Sequence, residues 1–188
     1  MIKIGLTGSI SSGKTTAGKI ISKGRGPFFS ADTVVNRLYK NKSFRKNIAR
    51  SFKLRINSSL KKAIKDKILE RKENLKKLEK IIHPIVRHKM LFFFRKNKNK
   101  KFLFLEIPLL FESKLTRYFD VIIFIKSNKN LRLKRYKLNR GNTELFSLLN
   151  EHQLKDNKKM ELSDHIVVNN KSLIVLKKNL LNIIKLYE

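Results

Sequence analysis

The chain contains no cysteine and no tryptophan, and only three prolines. Without cysteine there is no disulfide framework and no thiolate metal centre, a composition that suits a reducing cytoplasm. Carboxylates are scarce too: 14 Asp and Glu stand against 45 Lys and Arg, a formal net charge of +31. Long apolar runs are missing. The most apolar stretch, 102–111, is broken by Glu106 and Pro108, so no segment is suited to crossing a bilayer. Residues 1–7 are mostly apolar, but they are few and a polar, glycine-containing loop follows at once, unlike a secretory signal. The expectation is a cytoplasmic protein with no membrane partner.

What is present is 188 residues, 41% of them hydrophobic, enough for one domain with a substantial core. The positive charge has two readings. Gathered on one face, it would mark a nucleic-acid partner. Here the lysines run from Lys3 to Lys185 among many Asn and Ile residues. That spread points to compositional drift in AT-rich coding, with no specific nucleic-acid partner. A field this positive still attracts polyanionic substrates and makes their binding salt-sensitive.

Strands and helices alternate along the chain, the pattern of an α/β fold with a parallel sheet and crossover helices. Residues 2–7 read as the first strand, 8–13 as a loop and 14–23 as a helix. A short strand at 27–30 and a helix at 33–39 follow. The basic region 43–99 carries apolar residues at helical spacing, with Leu75, Leu78, Ile81 and Ile82 on one face, and Pro84 is expected to interrupt that helix or start another. Buried strands are expected at 102–105 and 121–125. Helices are expected at 128–139 and 143–150, a last short strand at 166–168, and a closing amphipathic helix at 172–186. No repeat and no flexible linker is visible.

One segment carries chemistry on its face. Gly8-Ser9-Ile10-Ser11-Ser12-Gly13-Lys14-Thr15 matches G-x-x-x-x-G-K-[ST], directly after an apolar strand and before a helix, as a P-loop requires. Glycine lets the backbone wrap a triphosphate and turn its N–H groups inward. The helix that starts near Gly13, continuing through Thr16, adds its positive end. Lys14 would neutralise the β- and γ-phosphates, and the Thr15 hydroxyl could hold Mg²⁺.

Among so few carboxylates, Asp32 and Glu106 stand out. Asp32 follows the second strand, on the side where open α/β sheets bind ligands. It is placed to take a proton from an acceptor hydroxyl, and it also suits the N-cap of a helix starting at Thr33. Glu106 ends a buried strand, where it is either a carboxylate that organises Mg²⁺ through water or a solvated strand end. His83, taken alone, reads as a structural histidine before Pro84.

The order of these segments resembles the dephospho-coenzyme A kinase family. Leu6–Thr15 is similar to that family's P-loop, and Ser30-Ala31-Asp32 to its D-A-D segment. Leu78-Glu79-Lys80-Ile81-Ile82-His83-Pro84-Ile85-Val86, followed by Arg87, resembles its His-Pro segment. Glu106-Ile107-Pro108-Leu109-Leu110-Phe111-Glu112 resembles its Pro-Leu-Leu segment. Leu133-Lys134-Arg135, Gln153 and Ser163–Asn170 also find counterparts, in order, over nearly the whole chain.

The resemblance implies a three-layer P-loop kinase fold: a core of residues 1–33, 100–137 and 159–188, a helical insertion at 34–99 for the coenzyme A moiety, and a small lid at 138–158. It implies ATP and Mg²⁺, with dephospho-CoA as acceptor and a monomer or weak homo-oligomer as the working form. Asp32 matches the catalytic base. Lys14 and Thr15 match the phosphate and Mg²⁺ ligands. His83, Pro84, Arg87, Pro108 and Leu109 fall in the acceptor-binding segments, and Arg140 near the lid is a candidate to stabilise charge on the transferring phosphoryl group.

Four positions depart from the family pattern. Ser9 and Ser11 stand where glycine is usual, and a positive φ at either would strain the loop. Ser30 replaces the first aspartate of D-A-D. Asp156 replaces an arginine, a reversed charge for which Lys155, Lys158 or Lys159 could substitute. Two other classes compete with this reading. A nucleoside monophosphate kinase would need an arginine-rich site for a second phosphate, and a basic nucleic-acid-binding protein leaves the P-loop and Asp32 unexplained.

Overall fold

The computed structural model describes residues 1–139 and 141–188. Five strands form one sheet: β1 (Ile2–Thr7), β2 (Phe28–Ser30), β3 (Phe102–Glu106), β4 (Val121–Lys126) and β5 (His165–Val168). Their order is β2-β3-β1-β4-β5 and every pairing is parallel. β3 is buried along its whole length, which explains the unbroken apolar run from Phe102 to Leu105: a parallel strand covered on both faces needs no polar alternation. The chain moves from β1 out to β2 and back through β3, then crosses to β4 and β5. The order therefore reverses at β1, and the carboxyl ends beside it open the crevice where such sheets take ligands. The P-loop leaves β1 there.

Among the described residues the helices are α1 (Lys14–Ser22), α2 (Ala31–Leu38), α3 (Lys42–Phe52), α4 (Leu60–Glu70), α5 (Glu73–Lys96), α6 (Lys129–Leu138), α7 (Thr143–His152), α8 (Asp156–Glu161) and α9 (Leu173–Ile184), with a 3₁₀ turn at Thr116–Tyr118. The chain divides into two compact units, Met1–Ser30 with Phe93–Glu188, and Ala31–Phe92. In the first unit, Ile4, Leu6, Phe104, Ile123, Ile125 and Val167 of the sheet pack with Ala17 and Ile21 of α1 and with Leu176, Leu180 and Ile184 of α9. In the second, α3, α4 and α5 bury Ile48, Ala49, Leu60, Ile64 and Met90, and Tyr39 meets Phe44 edge-on with centroids 5.4 Å apart.

The fold class and the strand sequence agree with the expectation, and three local expectations are corrected. The helix expected at 33–39 begins at Ala31, because β2 runs straight into it. Asp32 thus lies in the first helical turn and is not the N-cap. Pro84 neither ends nor begins a helix: α5 runs through it from Glu73 to Lys96. Proline forfeits one backbone bond there, but Leu75, Ile82, Val86 and Met90 are all buried along the same helix, and packing of that face outweighs the lost bond. The short helix α8, inside a segment expected to be lid and core junction, had no signal of its own at six residues.

Candidate active site

Gly8 leaves β1 with φ +153°, and a Cβ there would lie 2.5 Å from the Ile125 carbonyl oxygen and 2.7 Å from Ser12 Oγ. Only glycine fits. The Ser12 N–H donates to the Ser9 carbonyl at 3.1 Å, closing a turn, and within that turn Ser11 has φ +58°. Of the two serines that replace glycine, Ser11 is the one held in the left-handed region. Gly13 follows at φ +96° with its α-carbon against the Asn169 side chain. Its carbonyl accepts the first helical bond of α1, from the Ala17 N–H at 3.0 Å. α1 has no acidic residue in its first turn, so its positive end is not neutralised from within.

Two side chains of α1 point back along the loop. Lys14 is buried, and its Nζ donates to the Ser9 carbonyl at 3.0 Å. The Thr15 hydroxyl donates to Glu106 Oε1 at 2.6 Å. Thr16, next in the helix, is exposed. Glu106 ends β3, in register with Ser30 of β2, and is only 1% exposed. The sequence left open whether Glu106 is a solvated strand end; burial excludes it. Among the described residues its second oxygen, Oε2, is buried without a hydrogen-bond partner, as is Ser12 Oγ in the loop. A buried carboxylate oxygen without a hydrogen-bond partner is costly, and a cation beside it removes that cost. The Thr15 hydroxyl and Glu106 are hard oxygen donors of the kind Mg²⁺ prefers, and Mg²⁺ is often held by one or two protein groups plus substrate phosphates. Accordingly, among the described residues no group of three or more His, Cys, Asp or Glu could hold a metal by itself.

A second set of side chains reaches the loop from α6, from Gln153 just after α7, and from α8. Gln153 Oε1 accepts from the Ile10 N–H at 3.1 Å. Asp156 Oδ1 accepts from the Ser9 hydroxyl. Arg132, 4% exposed, donates to the carbonyls of Ser127 (3.0 Å) and Ile10 (3.4 Å) and to Asn150 Oδ1 (2.7 Å), and it stands 4.0 Å from Asp156 Oδ2. Burial lowers the Arg132 pKa from the ordinary arginine value, while Asp156 pulls it upward. On the other side, Asn169 Nδ2 donates to the Ser12 carbonyl at 2.8 Å, and Arg135 reaches the same carbonyl at 3.4 Å and that of Asn169 at 3.1 Å. Arg132 and Asn169 were missed in the sequence. For Arg132 the signal was spacing: three residues apart on α6, Arg132 and Arg135 share a helix face; Asn169 lay inside the Ser163–Asn170 segment without a role assigned to it.

The remaining expected site residues divide between the units. Pro108 and Leu109 lie in the turn after β3, where the Thr7 hydroxyl donates to the Pro108 carbonyl at 3.2 Å. Asp32, His83, Pro84 and Arg87 belong to the unit Ala31–Phe92. There Asp32 is exposed on α2 and His83 is half-buried in mid α5 beside exposed Pro84. Lys61 of α4 donates to Asn36 Oδ1 at 2.7 Å and stands 5.4 Å from the Tyr39 ring. Its pKa is lowered, first by burial and then by Lys65, with Asp32 opposing. Arg140 lies outside the described residues. Of the three lysines expected to replace a missing cation near position 156, two are engaged elsewhere. Lys158 pairs with Glu161 at 2.9 Å, and Lys159, fully buried, lies 2.8 Å from Glu112 Oε1. The same Glu112 oxygen accepts from the Leu154 N–H at 2.9 Å, so this ion pair ties α8 to the turn after β3.

A family model described as dephospho-CoA kinase matches residues 2–174. The chain belongs to the dephospho-CoA kinase family. A dephospho-CoA kinase from Bartonella quintana is 37% identical over 175 residues, covering 90% of this chain and 90% of its own. Among solved structures, one from Thermus thermophilus superposes with a TM-score of 0.77 at 25% identity, covering 98% of this chain and 96% of its own. The dephospho-CoA kinase from Campylobacter jejuni does so with a TM-score of 0.67 at 27% identity, covering 97% and 95%. The resemblance read from the His83-Pro84 and Pro108–Glu112 segments is borne out. So is the wider reading of an ATP-dependent kinase on an α/β fold with a parallel sheet core. Among the described residues no helix is long and apolar enough to cross a membrane.

Proposed function

We propose that this dephospho-CoA kinase moves the γ-phosphoryl group of Mg·ATP to the ribose 3′-hydroxyl of dephospho-CoA in the cytoplasm, the last step of coenzyme A synthesis. The observation that carries the reading at the level of residues is the Thr15–Glu106 hydrogen bond with one buried carboxylate oxygen left bare, next to a lysine already folded onto the loop. Thr15 and Glu106 are the groups that would hold Mg²⁺. Bound there, the ion would offset the phosphate charge that grows as the γ-group departs.

The chain's own groups do the rest. Lys14 moves from the Ser9 carbonyl to the β- and γ-phosphates. The loop N–H groups and the first turn of α1 hold the remaining phosphate oxygens. Asp32, two residues beyond the end of β2, takes the proton of the 3′-hydroxyl as its oxygen bonds to phosphorus. The bond between that phosphorus and the β–γ bridging oxygen breaks, and ADP leaves with the electron pair. His83, Pro84 and Arg87 of the unit Ala31–Phe92, with Pro108 and Leu109, serve the coenzyme A moiety. Arg140 and the segment 138–158 serve the transferring phosphoryl group and its enclosure.

The direct test is ADP release with Mg·ATP and dephospho-CoA, run beside AMP, UMP and no acceptor. Turnover confined to dephospho-CoA is the expected result. Turnover with a nucleoside monophosphate and none with dephospho-CoA would overturn it. Glu106→Gln tests the metal assignment. It keeps an acceptor for Thr15 but removes the charge, and it is expected to raise the free Mg²⁺ needed for half-maximal rate about tenfold or more. An unchanged Mg²⁺ titration would take Glu106 out of the site.

A further inference from the structure

Ser11 occupies the left-handed region at φ +58° without being glycine. An L-residue adopts that conformation at a cost, and it persists where the surroundings over-determine it. The surroundings here are particular. Before Ser11, Ser9 is bonded to Asp156, and Ile10 is bonded through its N–H to Gln153 and through its carbonyl to Arg132. After Ser11, the Ser12 carbonyl is held by Asn169 and Arg135. The turn is thus clamped on both sides, and the clamp on its first side comes from Arg132 of α6, Gln153 just after α7 and Asp156 of α8. Arg132 and Asp156 brace each other: the buried guanidinium needs a counter-charge, and Asp156 stands 4.0 Å from it while also accepting from Ser9.

We infer that Asp156 is a positioning residue for nucleotide binding: with Arg132 and Gln153 it grips Ser9 and Ile10 and so holds the P-loop in the shape that places Ser11 in the left-handed region. Asp156 touches Ser9 and Arg132 and does not itself need to touch a phosphate. A carboxylate at this place is otherwise unfavourable beside a polyanion; here it accepts from Ser9 and stands near the Arg132 guanidinium, which offsets its charge. Two departures from the family pattern, Ser9 and Asp156, are then one device, and the third, Ser11, is the reason for it. This deepens the reading of the loop as the ATP site and rests on it.

The test is a set of variants, Asp156→Ala, Ser9→Ala, Ser11→Gly and the doubles Asp156→Ala/Ser11→Gly and Ser9→Ala/Ser11→Gly. Each is read by the Kd for a fluorescent ATP analogue with Mg²⁺, by KM for ATP against KM for dephospho-CoA, and by thermal unfolding. Asp156→Ala is expected to weaken nucleotide about tenfold with KM for dephospho-CoA unmoved, and Ser11→Gly is expected to recover most of that loss, because glycine takes φ +58° without help. Ser9→Ala removes one hydroxyl, leaves Arg132 and Asp156 facing each other, and keeps the test open should Asp156→Ala fail to fold; the same selective loss and the same recovery are expected. Wild-type nucleotide affinity in both Asp156→Ala and Ser9→Ala, or doubles as weak as those two singles, would overturn the inference. Wild-type turnover with dephospho-CoA is measured separately: its absence would sink the proposed acceptor, while the binding pattern would still decide the role of Asp156.

Discussion

Lys14→Ala is expected to slow phosphoryl transfer about a thousandfold while the protein stays folded. Lys14 is the cation of the loop itself, 6% exposed, and its ammonium already lies 3.0 Å from a loop carbonyl. A triphosphate offers that ammonium a far stronger partner than a neutral carbonyl. The interaction grows as charge shifts toward the β–γ bridging oxygen, so its loss falls on the chemical step. At the Ser9 carbonyl the alanine variant removes one donor, and that carbonyl still accepts from the Ser12 N–H at 3.1 Å. Lys14→Arg is not expected to rescue, because a planar fork does not fit where a compact ammonium is enclosed. Single-turnover rates with Mg·ATP and dephospho-CoA, beside a thermal melt, check both halves. A loss below tenfold would mean that Arg132 or Arg135 supplies the charge instead.

Asp32→Asn is expected to lower kcat by about a hundredfold or more, with KM for dephospho-CoA changed by much less. The substitution keeps the size and one acceptor oxygen, so the acceptor can still be seated. What disappears is the ability to take the proton as the new bond to phosphorus forms. The competing role of Asp32 is structural. In the first turn of α2, a carboxylate favours the helix by about 0.3–1 kcal/mol through the macrodipole. That role predicts a small drop in melting temperature and an ordinary kcat. Measuring the two quantities on one preparation separates them, and an unchanged kcat would remove Asp32 from the base role. Lys61, which shares electrostatics with Asp32, is a useful companion: Lys61→Met removes the neighbouring charge without removing the carboxylate.

Much of this molecule was legible from its residues. β1, the loop and α1 are readable because their signals are local: an apolar strand, then glycines where no side chain fits, then a helix. β3 and β4 are readable because strands covered on both faces must be apolar throughout. The family resemblance was legible for a related reason, since His83-Pro84 and Pro108–Glu112 are short contiguous segments.

Pro84 shows the limit of local rules: proline speaks for a break, and the buried face of α5 decided against it. Burial also settled the ambiguity of Glu106, which periodicity could not. The clamp on the P-loop lay further out of reach. Ser9 and Asp156 are 147 positions apart, Ile10 and Gln153 are 143 apart, and Thr15 and Glu106 are 91 apart. The sequence by itself determined the strands, the phosphate-binding loop and the family, because each rests on neighbours along the chain. Only the tertiary structure decided that Asp156 faces Ser9 and Arg132, that Lys159 is taken by Glu112, and that one oxygen of Glu106 is left bare. Each of these depends on which faces of distant elements the packed sheet brings together.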